Sequence, residues 1–324
     1  MKNVVKSVVL TMCLCLIFFV VPAHATIQLR IAHENAATHA VGVTLEEFAK
    51  RVSDRTNGEI EIKVYHASAL GDVRTTIEAV QLGTLDMAAV TISTAINFIP
   101  EWDFLTLPFL FRDYNHIKSV INSAIGDEMI EYAKQRGFVV LGISTSGFRQ
   151  LFLAKPATSL ADLKDRKIRV LDDPIIISAW EYLGTRPVAV PIGEVYMALQ
   201  TGVLDALETS FTAWINSKFT EVAPYAIRLN YMDSGRTFVL SSKVAERLGS
   251  KNVDILRETM REVLDEILWP TYEDYEVRID DIAKENNASV SSIPLDEFRE
   301  RLKPLYEKFI PTLGLEIIER IRNL

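Results

Sequence analysis

The sequence predicts an α/β protein of two units, and three observations carry that reading. Strand-like and helix-like apolar patterns alternate along most of the chain, the order that builds a largely parallel sheet flanked by helices. The length, 324 residues, exceeds what one hydrophobic core comfortably organises. Beyond about residue 250 the pattern turns almost wholly helical. With 48% apolar and 24% charged residues, the composition excludes a disordered, collagenous or coiled-coil chain. The formal net charge of −8 suits no polyphosphate partner, so nucleic acid is set aside.

Each element follows from its residues. Residues 27–32 (IQLRIA) alternate as a strand. Residues 40–56 place Val43, Phe48 and Val52 on one helical side, and Asn57-Gly58 signals a turn. Residues 59–65 (EIEIKVY) keep period two, with Ile60, Ile62 and Val64 on one face. Residues 75–82 read as a helix stopped by Gly83, and 85–91 (LDMAAVT) as a buried strand. Residues 138–143 read as the next apolar strand, and a second α/β unit follows. It continues with a short helix at 159–164 capped by Ser159, the strand 167–171, and a helix at 175–183 ended by Gly184. A helix at 193–200 closed by Gly202 and a short strand at 204–207 complete it. Residues 253–283 are helical in pattern, with Pro270 expected to kink or break them, and residues 294–324 are mostly helical. No long flexible linker separates the units, which points to lobes joined by more than one crossing of the chain.

The first 25 residues stand apart. Lys2 and Lys6 precede an uncharged, mostly apolar run at 8–21, and Pro22, Ala23, His24 and Ala25 close it with an A-x-A pattern. This reads as a secretory leader cleaved after Ala25. The alternative, a membrane anchor, wants about 20 apolar residues. Both cysteines, Cys13 and Cys15, fall in the leader, outside any lipoprotein pattern. The mature chain therefore has no thiol for a disulfide, a nucleophile or a zinc site, and its charge becomes −10.

Catalytic patterns are missing. His33, His39, His66 and His116 show no metal-binding spacing, His33 and His39 being six apart without H-E-x-x-H. There is no G-x-S-x-G, S-x-x-K or phosphate loop, and residues 142–147 imitate a nucleophile elbow with the wrong serine spacing. No carboxylate stands alone in an apolar run as a raised-pKa acid would. The expectation is a non-enzyme with no cofactor and no metal. Two arginines differ from the rest. Arg149 follows the strand 138–143, and Arg169 sits inside KIRV, on the opposite face from Ile168 and Val170. Each is read either as a clamp on a ligand carboxylate or as half of a structural ion pair. The aromatic residues Trp102, Phe148, Phe152, Trp180 and Trp214 are read either as core or as pocket lining, Trp214 standing in a strand-to-loop region.

In this order the segments resemble the solute-binding subunit of tripartite ATP-independent periplasmic (TRAP) transporters, the dicarboxylate-binding type, across essentially the whole mature chain. The strand 59–65 followed by Leu70-Gly71-Asp72, the turn Gly83-Thr84-Leu85-Asp86, and Leu107-Pro108-Phe109 match family segments. So do Ala161-Asp162-Leu163-Lys164 leading into Lys167-Ile168-Arg169-Val170, and the block from Glu194 through Tyr196 and Gln200 to Asp205. The resemblance implies two α/β lobes that close on a ligand in the cleft between them, with a long helix at 253–283 spanning both. It implies lobe I at 26–146 plus about 235–273, and lobe II at 147–234 plus about 274–324.

The resemblance further implies that Arg169 holds the ligand carboxylate and Arg149 lies near it. Thr91 is the polar group offered by the first lobe, and His33, Glu34 and Asn35 lie in a loop facing the cleft. Thr209 stands where the family commonly has an asparagine, a departure that opens the ligand class; Trp214, Phe148 and Trp180 then favour an aromatic or bulky acid over a sugar acid. The implied protein is a periplasmic monomer that binds a small organic acid and delivers it to TRAP membrane permease subunits. Presentation of the ligand to a sensor, or an exported enzyme acting on a carboxylated substrate, are the alternatives.

Overall fold

The computed structural model describes residues 26–324, apart from the side chains of residues 311–313; the leader and its cleavage site lie outside the described residues. The first lobe opens with β1 (Ile27–Ala32), α1 (Ala40–Arg55), β2 (Ile60–Tyr65), α2 (Val73–Leu82), β3 (Met87–Thr91) and the short α3 (Ile92–Ala95). After a 3₁₀ segment at Pro100–Thr106 come α4 (Tyr114–Ile121), α5 (Ala124–Gln135) and β4 (Phe138–Ser144). The second lobe holds β5 (Arg149–Leu153), β6 (Lys167–Val170), α6 (Pro174–Tyr182), β7 (Arg186–Ala189), α7 (Ile192–Gln200), β8 (Ala206–Ser210), α8 (Phe211–Asn216) and β9 (Tyr225–Arg228). The chain then returns with β10 (Arg236–Ser241), α9 (Ser242–Leu248) and α10 (Ser250–Val263). A π-helical turn at Leu264–Leu268, α11 (Trp269–Glu285), β11 (Ser289–Ser292), α12 (Asp296–Leu313) and α13 (Leu315–Arg322) complete it.

Two sheets result, ordered β2-β1-β3-β10-β4 and β11-β9-β5-β8-β6-β7. Each carries one strand imported from the other half of the sequence. β10 runs antiparallel between β3 and β4 of the first sheet, and β5, entering from β4, runs antiparallel between β8 and β9 of the second. The two segments that cross between the lobes pair with each other. Arg149 N donates to Met232 O at 2.8 Å, and Ser234 N donates to Gly147 O at 3.0 Å. Gly147 has φ +88°, a left-handed conformation that favours glycine, and an added Cβ would sit 3.1 Å from Ser210 Cβ.

The third crossing is the helix formed by α10, the π turn and α11. Its first half packs on α1 and β4 of the first lobe, its second half on α8 and β11 of the second. Gly142 on β4 makes the close approach possible: a Cβ there would lie 2.6 Å from Leu264 Cδ1. Pro270, expected to break this helix, sits in the first turn of α11, directly after the π turn. Proline has no N–H to donate, and the widened turn before it absorbs the lost i→i−4 bond without ending the helix.

The C-terminal segment departs from the expected division. α12 touches both lobes: Lys308 Nζ reaches Ser178 Oγ of α6 at 3.2 Å, while Tyr306 OH donates to Pro108 O. α13 sits on the first lobe, where His116 Nε2 meets Ile321 O at 2.8 Å and Arg320 pairs with Glu128 on α5 at 2.6 Å. Residues 315–324 therefore do not belong with the second lobe. The strand expected at 204–207 is displaced to Ala206–Ser210, because Leu204 N turns back to Ala198 O at 3.0 Å.

Candidate functional site

A cleft of about 630 Å³ opens between the two sheets, at the ends of strands that point toward the opposite lobe. From the first lobe it is lined by Glu34 and Asn35 in the loop after β1, by Thr91 at the end of β3, and by Thr94 and Asn97 just beyond. Arg236, at the start of β10, forms the back of this wall. The second lobe contributes Arg169 on β6, Val190 after β7, and Ser210 and Ala213 around the start of α8. The crossing segments supply Ser146 and Ser234, and α11 supplies Tyr272.

Three buried arginines surround this space, and their partners set them apart. Arg149 is fully paired with Glu208 in a bidentate ion pair. Its Nη2 lies 2.6 Å from Glu208 Oε1, its Nε bonds Oε2, and its Nη1 donates to Ser234 Oγ at 2.6 Å. Tyr231 OH adds a bond to the same carboxylate at 2.7 Å, and Trp180 Nε1 donates to Tyr231 OH at 3.2 Å. Arg236 is likewise paired: its Nη2 lies 2.6 Å from Glu34 Oε1 and its Nη1 3.2 Å from Oε2, while its Nε donates to Ser146 Oγ at 3.0 Å. Burial raises the cost of ionising Glu34, but the Arg236 guanidinium more than offsets it and holds the carboxyl below its usual range.

Arg169 has no such partner. Its Nε donates to Val190 O at 2.9 Å, and among the described residues no carboxylate lies within ion-pair distance of it. Its side chain is buried, and burial brings the guanidinium down to about 10, with the nearby Arg149 charge acting in the same direction and Glu208 against it. Burying a charge without a counter-ion is costly. The structure thus holds a desolvated cation, on a rigid strand, facing a cavity: a ready acceptor for an anion that brings two oxygens to its free edge.

The sequence-derived candidates separate accordingly. Arg169, Glu34 and Thr91 line the cleft, with Asn35 beside them. Arg149 does not: Glu208 occupies its fork, which is the ion-pair alternative for this residue. Thr209 pairs with Gln150 in the second sheet and faces away, since alternation gives the cleft Ser210 instead. Phe148 is buried in the crossing segment against Tyr114, with ring centroids 5.2 Å apart. Trp214 is core: fully buried, stacked on Phe152 at 4.7 Å, its Nε1 donating to Ala223 O at 2.9 Å. Trp180 is buried in the Glu208 network. The expected aromatic lining is therefore absent, apart from Tyr272; hydroxyl, amide and charged groups share the wall with Val73, Leu171, Val190, Pro191, Ile192 and Ala213, and most of the exposed lining is apolar. His33 meets His66 at 2.8 Å, and His66 meets Glu46 at 2.8 Å. Among the described residues no three His, Cys, Asp or Glu side chains form a group able to hold a metal.

Arg236 was the residue that sequence reading missed. Its signal was the one that singled out Arg169, an arginine inside an apolar strand (RTFVLS). Ser146, Ser210 and Ser234 had no signal beyond their position in turns, and Tyr272 is one aromatic among many along a helix.

Comparison with known proteins places these features in a family. The model of "Bacterial extracellular solute-binding protein, family 7" matches residues 31–312. A Vibrio cholerae protein named as C4-dicarboxylate-binding periplasmic protein DctP is 27% identical over 296 residues, covering 90% of this chain and 89% of its own. A TRAP periplasmic solute-binding protein of Xanthobacter autotrophicus Py2, solved with β-D-galacturonate, superposes with a TM-score of 0.86 at 28% identity, covering 91% of this chain and 99% of that one. Another from Polaromonas sp. JS666, bound to D-erythronate, gives 0.88 at 26% identity, covering 91% and 98%.

Proposed function

Because the chain belongs to family 7 of the bacterial extracellular solute-binding proteins, we propose that it is a periplasmic receptor that captures a small organic acid through Arg169. Exported with its leader removed after Ala25, it delivers the acid to a membrane permease. The single observation that carries this reading is the state of Arg169, a buried guanidinium in an interlobe cleft with no acidic partner among the described residues.

The mechanism follows from the geometry. A carboxylate entering the cleft makes charge-assisted hydrogen bonds to the free edge of Arg169 while Val190 O fixes its Nε. Thr91, Asn35 and Asn97 reach the ligand from the opposite lobe, so the acid contacts both halves of the molecule at once. Lobe closure excludes water, which strengthens the ion pair, and the ligand favours the closed form by the difference between its affinities for the two forms. The relatives solved with galacturonate and erythronate support a carboxylate ligand of this size.

A thermal-shift screen of the mature protein against sugar acids, 2-oxo acids, C4-dicarboxylates and aromatic acids tests the proposal. A ligand at a hundred times its dissociation constant stabilises the protein by about 2.7 kcal/mol, on the order of several degrees. Arg169→Ala should abolish that shift. A folded Arg169→Ala protein that shifts as far as wild type would show the arginine to be structural.

A further inference from the structure

The charges lining the cleft are unevenly paired. Inside it stand two guanidiniums, Arg169 from the second lobe and Arg236 from the first, and one carboxylate, Glu34, which occupies both Nη atoms of Arg236. Around the rim, the exposed side chains of Asp72, Asp172 and Glu194 outnumber that of Arg74. His39 adds no charge at neutral pH, because burial and then the Arg236 charge bring its imidazole down to about 4. A ligand with one carboxylate finds a vacant cation at Arg169. A ligand with a second carboxylate brings that group either to the already neutralised Arg236–Glu34 pair, where it loses solvation for no net attraction, or to a net acidic rim, which repels it. What faces the rest of the ligand is uncharged: Asn35, Thr91, Thr94, Asn97 and Ser210 offer hydroxyl and amide groups, and Leu171, Val190, Pro191, Ile192 and Ala213 offer an apolar wall.

We propose that Glu34 is the specificity-determining residue of this site. By neutralising Arg236 it restricts the receptor to acids with a single carboxylate, and it excludes the matching diacids. The proposal rests on the Arg169 reading above. It separates this chain from the relative named for C4-dicarboxylates, and it owes nothing to Phe148, Trp180 or Trp214, none of which lines the cleft.

The test compares pairs of acids that differ by one oxidised terminal carbon: galacturonate with galactarate, and erythronate with tartrate. Dissociation constants are measured on the dialysed mature protein for wild type, Glu34→Gln, Glu34→Gln/Arg236→Gln and Arg169→Ala. The expected result is a wild-type preference for the monoacid of at least about tenfold. In Glu34→Gln, where Arg236 is no longer neutralised, that preference falls by about tenfold or more. The double variant regains it, because the second cation is gone. Arg169→Ala binds neither acid.

Wild type binding the diacid as well as the monoacid would overturn the proposal. So would an unchanged ratio in Glu34→Gln, or a double variant that keeps the single variant's gain. In each of those cases the loss of binding in Arg169→Ala leaves the clamp standing. Wild type binding none of the four acids would overturn this inference and not the clamp, whereas Arg169→Ala binding like wild type would remove the clamp, and this inference with it. Should Glu34→Gln fail to hold its near-UV circular dichroism, Glu34→Asp replaces it. That variant draws the carboxylate back from Arg236, and the same direction of change is expected.

Discussion

Replacing Arg149 with methionine removes one half of a buried ion pair and leaves the buried Glu208 side chain beside Tyr231 without its cationic partner. Breaking such a pair costs about 3–5 kcal/mol. The urea midpoint of Arg149→Met should fall accordingly, whereas Arg169→Ala, which removes a cation with no acidic partner, should leave the ligand-free midpoint near wild type. Equal losses in the two variants would contradict the roles given to them. The contrast explains what could be seen beforehand. An arginine within or beside an apolar strand was legible at Arg149 and Arg169, and was there to be read at Arg236. Which of the three is free was not legible, because Glu208 lies 59 residues from Arg149 and Glu34 lies 202 from Arg236. Aromatic residues misled for a related reason: Trp214 and Phe148 are buried by elements distant in sequence, and composition carries no trace of that.

Elements on the solvated side of the sheets were read well, since a half-buried strand such as β2 or a helix such as α1 shows its period. Strands buried on both faces do not. β5 and β10 are buried at every residue and present no alternation for a pattern to show, although each is an inner strand of its sheet. A testable detail concerns the start of α6. Asp173 caps it, with Oδ1 accepting from Ile175 N at 2.8 Å and Ile176 N at 3.1 Å. Burial raises its carboxyl to about 7, against an ordinary value of 3.8, and the two backbone bonds only partly offset this. The folded state therefore holds this proton more tightly than the unfolded chain. Stability associated with the protonated acid is complete below about pH 4, declines as the pH rises, and is lost above about 7. Asparagine caps as well as aspartate and never ionises. Asp173→Asn should raise the melting temperature at pH 8, on the order of several degrees, and change it little at pH 4. An equal gain at both values would show that ionisation is not the cause.

At the scale of the whole molecule, the described chain crosses between the lobes four times: in the two paired segments around Gly147 and Ser234, in the long helix, and in the return from β11 through α12 to α13 on the first lobe. The paired segments are short and hydrogen-bonded to each other. The helix runs over both sheets and must flex with them, and the π turn at Leu264–Leu268 is the point where its hydrogen-bond ladder is already irregular. The placement of β10 makes the lobes interdependent, because without it β3 and β4 share no hydrogen bonds. A fragment ending at residue 146 is therefore expected not to fold, and one ending at residue 241 to gain the missing strand; circular dichroism and proteolysis of the two fragments check this. A first-lobe fragment that melts cooperatively would refute it.

That one strand also orders events in time. A ribosome delivers residues 27–144 first, yet the sheet they belong to has a gap between β3 and β4 until residues 236–241 emerge. Most of the second lobe has been synthesised by then. The growing chain thus carries a first sheet that stays incomplete until that strand arrives. Folding becomes possible only after nearly three quarters of the polypeptide exists.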